Sequence, residues 1–196
     1  MSDHPLSLIP ASDAERVYGT ITSAFEHDPI ARWLWETDEE YFERFPAFVA
    51  SAAQRAFETS TAWRGDDLDT VALWLSPGEE VDAERVGRVM LETVPKRKHE
   101  ELFGLLEQME KAHPAYPHWY LPWIGVEQTK QDHGRGSNLL AACLEYIDRG
   151  GLPIFLETSS PRSVPFFERH GFEVTGHAEV GPIPLQTFMI RKGARA

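Results

Sequence analysis

The chain has 196 residues, 42% of them hydrophobic, enough to bury a core within one domain. Its net charge of −12 argues against nucleic acid, whose phosphates call for clustered Lys and Arg, and fits a cationic small substrate. The one cysteine, Cys143, excludes an internal disulfide and a cysteine metal site, and with no basic n-region around Asp3 and His4 and no run of about eighteen apolar residues, a soluble cytoplasmic protein is expected.

Leu6 to Ile9 reads as a short strand. Ser12 or Asp13 then caps a helix to about Glu26, with Val17, Ile21 and Phe25 near helical spacing. Asp28-Pro29 breaks it. A second helix starts at Thr37 or Asp38 and runs to about Phe57. Thr59–Arg64 and Thr70–Ser76 form a hairpin over Gly65-Asp66-Asp67. Residues 79–112 are a charged helical insert, two helices parted near Pro95, serving as a lid or only as packing. Trp119–Val126 is a strand interrupted by Pro122, which cannot donate to a ladder and marks a bulge or a place where the sheet opens. A helix from about Gly134 to Asp148 ends at Gly150-Gly151. Pro153–Glu157 is a strand, a short helix follows Pro161, and Phe172–Gly176 and Leu185–Arg191 are the final strands. The alternation predicts a mixed α/β sheet with helices on both faces.

The most informative stretch is Gln131-Asp132-His133-Gly134-Arg135-Gly136-Ser137, a tight turn opening a helix. Glycines there let backbone N–H groups approach a ligand, and a helix N-terminus offers unpaired donors and positive dipole, which suits a phosphate or pyrophosphate. A Walker loop is absent, and the dinucleotide fingerprint fails because Leu139 stands where its third glycine belongs.

The second stretch is Leu156-Glu-Thr-Ser-Ser-Pro-Arg-Ser-Val-Pro-Phe-Phe-Glu-Arg-His-Gly-Phe172. Gln-x-x-Gly-x-Gly followed by this strand–helix–Gly-Phe unit resembles the GNAT acetyltransferase superfamily. Within it, Trp119–Val126, Gly134–Leu140 and Leu156–Phe172 are similar to the puromycin N-acetyltransferase branch. The resemblance implies a GNAT fold splayed at the fourth strand, acetyl-coenzyme A as donor, and a small-molecule amine as acceptor. Family members are commonly dimers, so a homodimer is included in the expectation, though no segment marks its interface.

The resemblance further implies that the backbone of the Ile124-Gly125-Val126 run pairs with the pantetheine arm, through Ile124 and Val126, and that N–H groups from Asp132 to Ser137 hold the pyrophosphate. Ser160 stands where an asparagine usually contacts the cofactor arm. Phe167 stands where a tyrosine usually protonates the departing thiolate; Ser160, a water or Tyr120 are the substitutes at hand.

On the acceptor side, a lysine-like amine is only about 0.04% neutral at pH 7, a cost of roughly 4.6 kcal/mol, whereas an α-amine costs about 1 kcal/mol. The former needs a base, and Glu157 and Glu127 are the candidates. Trp33 and Trp35, between the first helices, and Trp74 are candidate stacking residues for the acceptor. His99, His113, His118, His133, His170 and His177 show no ligand spacing, so no metal is expected. Two further readings stay open: a protein or peptide N-acetyltransferase, and a coenzyme A-binding sensor without turnover.

Overall fold

The computed structural model describes residues 6–193, so Asp3, His4 and Pro5 lie outside the described residues. The elements in chain order are β1 (Ser7–Leu8), α1 (Ala14–Ala24), α2 (Pro29–Leu34), α3 (Asp38–Glu58), β2 (Ala62–Arg64), β3 (Thr70–Leu75), α4 (Ala83–Thr93), α5 (His99–Ala112), β4 (Trp119–Val126), α6 (Arg135–Ile147), β5 (Ile154–Thr158), α7 (Ser163–Glu168), β6 (Glu173–Ala178) and β7 (Gln186–Arg191).

The strands form one sheet in the order β1-β2-β3-β4-β5-β7-β6. Its pairings are antiparallel except β4 with β5, which run parallel. Val71 and Leu73 pack against α1 and α3, while Ala72 and Trp74 turn to α6. The two-residue period of a strand divides the core into layers in this way. A further cluster joins Leu105 of α5 to Phe155 and Phe188 under the β5–β7 end of the sheet. Each fully buried aromatic contributes about 1.5–3 kcal/mol.

Local chemistry accounts for the boundaries. Thr37 and Glu40 close a reciprocal capping box at the start of α3. Ser60 takes a positive φ of 58°, which ends α3 sharply and leaves β2 shorter than Thr59–Arg64. Asp13 sits in a 3-10 turn and makes no side-chain cap, so α1 starts without the expected one. α1 ends before Asp28-Pro29 as expected, and Pro29 then opens α2: its fixed φ suits the first helical position, and Asp28 Oδ1 accepts from the Ala31 N–H at 2.9 Å. The stretch between the first two expected helices, which carries Trp33 and Trp35, therefore holds a capped helical turn.

Candidate functional site

The sheet opens where the proline predicts it. β4 and β5 pair only as far as Leu121↔Leu156; beyond that β4 follows β3 to Val126 and β5 follows β7 to Thr158. Pro122 has no N–H to offer. On the other side of β4, Leu73 pairs Trp123 while Leu75 pairs Tyr120, so β4 carries one extra residue in a bulge. The bulge inverts the side-chain alternation: Leu121 faces α6, but Trp123 faces α1 and α3.

Hydrogen-bond parity then fixes which backbone groups meet the gap. Glu127 N–H donates to Asp69 O at 2.9 Å. Alternation along the antiparallel ladder gives Gly125 and Trp123 to β3, and turns the N–H and C=O of Ile124 and Val126 toward the opening. Consistently, Val126 O accepts from Gln131 Nε2 at 3.1 Å. Gly125 corrects the expectation for this run. Its backbone is used by β3, and a Cβ there would meet Ala24 Cβ at 2.9 Å and Ile21 Cδ1 at 3.0 Å. It is glycine because α1 crosses there.

The mouth of the opening meets the N-terminus of α6. Asp132 (φ 64°) and Gly134 (φ 75°) are left-handed, and Gly134 caps α6 with no side-chain hydrogen bond. The first backbone bond of the turn is Asn138 N–H to Gly134 O, 3.0 Å. The N–H groups of Arg135, Gly136 and Ser137 precede it and are the free donors of the helix start. Gly136 sits where a Cβ would lie 3.3 Å from Val126 Cγ2, so its lack of a side chain lets α6 close on β4. These amides and the positive end of the helix dipole suit an anionic ligand.

Side chains of the same turn are mostly engaged. The Arg135 guanidinium bonds Asp67 Oδ1 and Oδ2 at 3.2 and 3.0 Å through Nη1, which ties the side chain to the β2–β3 turn. Ser137 Oγ and His170 Nε2 share a hydrogen bond of 2.8 Å, and burial pulls the imidazole below its ordinary pKa. Asp132 and His133 are exposed. Ser160 shapes the turn after β5, its N–H on Thr158 Oγ1 at 3.2 Å and its C=O accepting from Ser163 N–H at 3.0 Å. Phe167 is 5% exposed and packs edge-on against Phe172 in the α6 layer.

The two candidate carboxylates differ. Glu127 stands beyond β4, bonded by Thr129 Oγ1 at 3.0 Å with Lys130 Nζ at 4.0 Å, a surface arrangement. Glu157, next to last in β5, lies on the face opposite α6, its side chain 4% exposed. Tyr120 donates to Glu157 Oε2 at 2.7 Å, and His113 Nε2 lies 3.3 Å from Oε1. Burial and the Glu157 charge push the Tyr120 phenol well above its ordinary range. His113, read as bland in the sequence, is a missed site residue. No local spacing signals it, because 44 positions of chain separate it from Glu157.

The α1–α2 connection bridges the mouth. Ser159 Oγ donates to Asp28 Oδ2, beyond β5. Gln128 Nε2 meets His27 Nε2 at 2.8 Å, beyond β4. Trp33 on α2 packs partly buried over the cluster of Phe155 and Phe188. Of the three expected stacking residues it is the one near the opening. Trp35 is 0% exposed among Phe45 and Phe48, and Trp74 is 0% exposed on the α6 side beside Trp63. Both are core anchors rather than acceptor contacts, since an enclosed ring has no free face. Among the described residues no group of three His, Cys, Asp or Glu is placed to hold a metal ion, and no helix is long and apolar enough to cross a membrane.

Comparison with known proteins agrees with this geometry. The model of the acetyltransferase (GNAT) family matches residues 25–172. An uncharacterized N-acetyltransferase of Schizosaccharomyces pombe is 25% identical over 188 residues, covering 84% of this chain and 72% of its own. A Corynebacterium glutamicum structure, described as histone acetyltransferase HPA2 and related acetyltransferase, superposes with TM-score 0.65 at 20% identity, covering 98% of both chains. Arylalkylamine N-acetyltransferase 2 of Aedes aegypti gives 0.65 at 12% identity, over 98% of this chain and 100% of that one. A polyamine N-acetyltransferase of Drosophila melanogaster that forms N-acetylagmatine gives 0.64 at 10%, over 97% and 100%.

Proposed function

The chain belongs to the acetyltransferase (GNAT) family and is an acyltransferase, and from that premise we propose that it transfers an acetyl group from acetyl-coenzyme A directly to a small-molecule amine. The observation that carries the reading is the gap past Leu121↔Leu156, flanked by the gap-facing backbone groups of Ile124 and Val126 and closed at its mouth by the α6 amides. When bound, acetyl-coenzyme A supplies an activated acetyl thioester. Ile124 and Val126 hold its arm as an added strand would, and the Arg135, Gly136 and Ser137 N–H groups hold the pyrophosphate. A backbone donor on β4 that faces the gap stabilises the developing oxyanion.

Glu157, buried near the end of β5, is the base on the acceptor side. Glu127, already paired on the surface, is not. Tyr120 is a poor proton donor for the leaving thiolate: its phenol is held well above its ordinary range, against about 8.5 for a thiol. Its role is to hold Glu157. A thiolate leaves without a strong acid, which accommodates Phe167. A small acceptor agrees with the amine substrates named for the Aedes and Drosophila proteins and with the net charge of −12.

Thiol release from acetyl-coenzyme A across a panel of puromycin, polyamines, arylalkylamines and short peptides, with calorimetry of cofactor binding, tests the reading. Release with a small amine supports it. Release only with peptides moves the acceptor to a protein terminus or lysine. Binding with silence across the panel favours a second reading, a coenzyme A sensor, for which the missing Phe167 hydroxyl speaks.

A further inference from the structure

His170 lies just past α7, and the way that helix ends fixes its place. Gly171 takes a left-handed φ of 84°, its N–H donates to Glu168 O at 3.0 Å, and the Phe172 N–H reaches back to Phe167 O at 3.2 Å. In such a glycine-closed helix end the flanking apolar residues meet, and the rings of Phe167 and Phe172 do so edge-on at 5.7 Å. Arg191 of β7 holds the same backbone: its Nε donates to His170 O at 3.0 Å, while Nη1 and Nη2 hold the Asp148 carboxylate. With its backbone held, the His170 imidazole packs on Phe166 at 5.3 Å and presents Nε2 to Ser137 Oγ at 2.8 Å.

Ser137 belongs to the first turn of α6, and its N–H is one of the free donors there. We propose that His170 is a positioning residue for the cofactor phosphates, acting through Ser137, and that it takes up a proton when they bind. The inference rests on the acetyltransferase reading of the same site and adds to it a residue that the reading does not use. Polarity of the Ser137–His170 bond is the reason. A neutral imidazole protonated on Nδ1 accepts the Ser137 hydroxyl proton at Nε2, which leaves only oxygen lone pairs for a ligand, the wrong polarity for a phosphate. The imidazolium donates from Nε2 to Ser137 Oγ instead, and the hydroxyl proton is free to donate outward. Ser137 then offers a phosphate both N–H and O–H, with a positive charge behind them that strengthens the pair. The neutral tautomer protonated on Nε2 has the same polarity without the charge.

The surrounding charges set the direction. Burial and the guanidinium groups of Arg169 and Arg191 hold the imidazole below its ordinary pKa, so it is mostly neutral at pH 7. Arg191 is answered by Asp148, and α6 meets the ring with the Ser137 hydroxyl rather than a carboxylate. An anion on the Ser137 N–H stands one hydroxyl away from Nε2, and opposite charge at that range raises an imidazole pKa. Each unit of rise on binding corresponds to a gain of about tenfold in affinity once the free imidazole is protonated as well. The proton comes from solvent, and no covalent bond of the cofactor changes. The other imidazole near the anion is His133, exposed in the same turn.

The test is calorimetry of acetyl-coenzyme A binding to the full chain, with no acceptor present, in buffers of low and high ionisation enthalpy from about pH 6 to about pH 8. Wild type is expected to take up protons, read as a buffer-dependent heat, and to bind about 3-fold or more tightly at the acid end. His170→Gln keeps a donor for Ser137 but cannot titrate. It should lose about 0.3 proton or more of the uptake near neutral pH, flatten the affinity profile, and stay within about 3-fold of wild type at the alkaline end. Subtracting its uptake from that of wild type removes any proton taken by the ligand's own phosphates. His170→Asn, with a shorter amide, should lose the uptake and bind more weakly at every pH, and His133→Gln should leave the uptake in place. A role confined to holding the fold would weaken binding in both His170 variants without moving the proton count. Retained melting temperatures certify folding, and the His170 ring resonances of wild type, titrated with and without ligand, read the same proton with no variant at all. Wild-type heats independent of buffer, or an uptake that survives His170→Gln, overturn the proposal. Absence of any acetyl-coenzyme A binding to wild type overturns instead the acetyltransferase reading beneath it.

Discussion

Ser159 Oγ donates to Asp28 Oδ2 across 131 residues of sequence, tying the start of α2 to the end of β5. The neighbouring His27 is tied to Gln128, past the end of β4. Two adjacent residues thus hold the two strands that have just parted, and α2 with Trp33 is fixed over the gap between them.

Replacing Ser159 by Ala tests this strap. Asp28 is enclosed, and burial raises its carboxyl above the ordinary range while Ser159 and the Ala31 and Ile30 N–H groups pull it down. Removing the hydroxyl is expected to cost about 1–3 kcal/mol. A raised acid stabilises the fold below its unfolded pKa and loses that contribution as pH rises through the folded value. The variant raises Asp28 further, so its deficit against wild type should grow as pH rises above the unfolded pKa of Asp28 in urea melts. The acceptor KM should rise while the acetyl-coenzyme A KM holds. A deficit that shrinks with rising pH would sink the assignment.

The strap also shows what the sequence could and could not reveal. Pro122, Gly134 and Gly136 act on their own backbone, so the opening of the sheet and the tight glycine turn into α6 were legible from local chemistry. The Asp28–Ser159 and His113–Glu157 contacts join distant segments and carry no periodic signal. Asp28-Pro29 parts the first helices as its chemistry suggests, but that Pro29 also opens α2 shows only in the Asp28 cap. Trp35 and Trp74 were misassigned for a related reason: stacking chemistry is common to them and Trp33, and only burial separates the three.

Gly134 and Gly136 should respond differently to alanine. At Gly134 a Cβ meets nothing within 4 Å, but φ is 75°, so Gly134→Ala should cost about 1–2 kcal/mol of stability. At Gly136, inside α6, alanine favours the helix by about 1 kcal/mol, yet its Cβ presses on Val126 Cγ2. Gly136→Ala is therefore expected to weaken acetyl-coenzyme A binding about 10-fold or more with little loss in melting temperature. Calorimetry beside thermal melts separates the two; equal effects on both quantities in both variants would contradict the geometry.

Cys143 is enclosed in the α6 layer, and burial pushes its thiol up to about 12. At pH 8 about one molecule in ten thousand carries the thiolate, so a disulfide reagent should label the native protein negligibly and stoichiometrically after unfolding. Rapid labelling of the folded chain would show that the layer opens. The expected silence leaves thiol-release readings free of a protein background.

Lys98 assigns a task to the charged helical insert. Its side chain is 7% exposed, and its ammonium donates to the Trp33 carbonyl, reaches Leu34 O at 3.4 Å and meets Glu36 Oε1 at 2.6 Å. It also sits 5.1 Å above the Trp33 ring. A cation here satisfies the free carbonyls and the negative dipole at the end of α2. The insert thereby holds the C-terminal end of the helix whose N-terminal end Ser159 holds. Lys98→Met keeps the stem but not the charge, and should cost about 1–3 kcal/mol and raise the acceptor KM without changing that for acetyl-coenzyme A. The Lys98 hydrogen bond and charge hold Glu36 below its ordinary range. That contribution is present above the unfolded pKa of Glu36 and lost as pH falls through the folded one. The gap between variant and wild type should therefore narrow in acid, as it does for Ser159→Ala, but at or below the unfolded pKa of Glu36 rather than above that of Asp28. Melts of both variants across one pH series read the two ends of α2 independently, and pH dependences confined to the same window would show that they do not act on it as separate anchors.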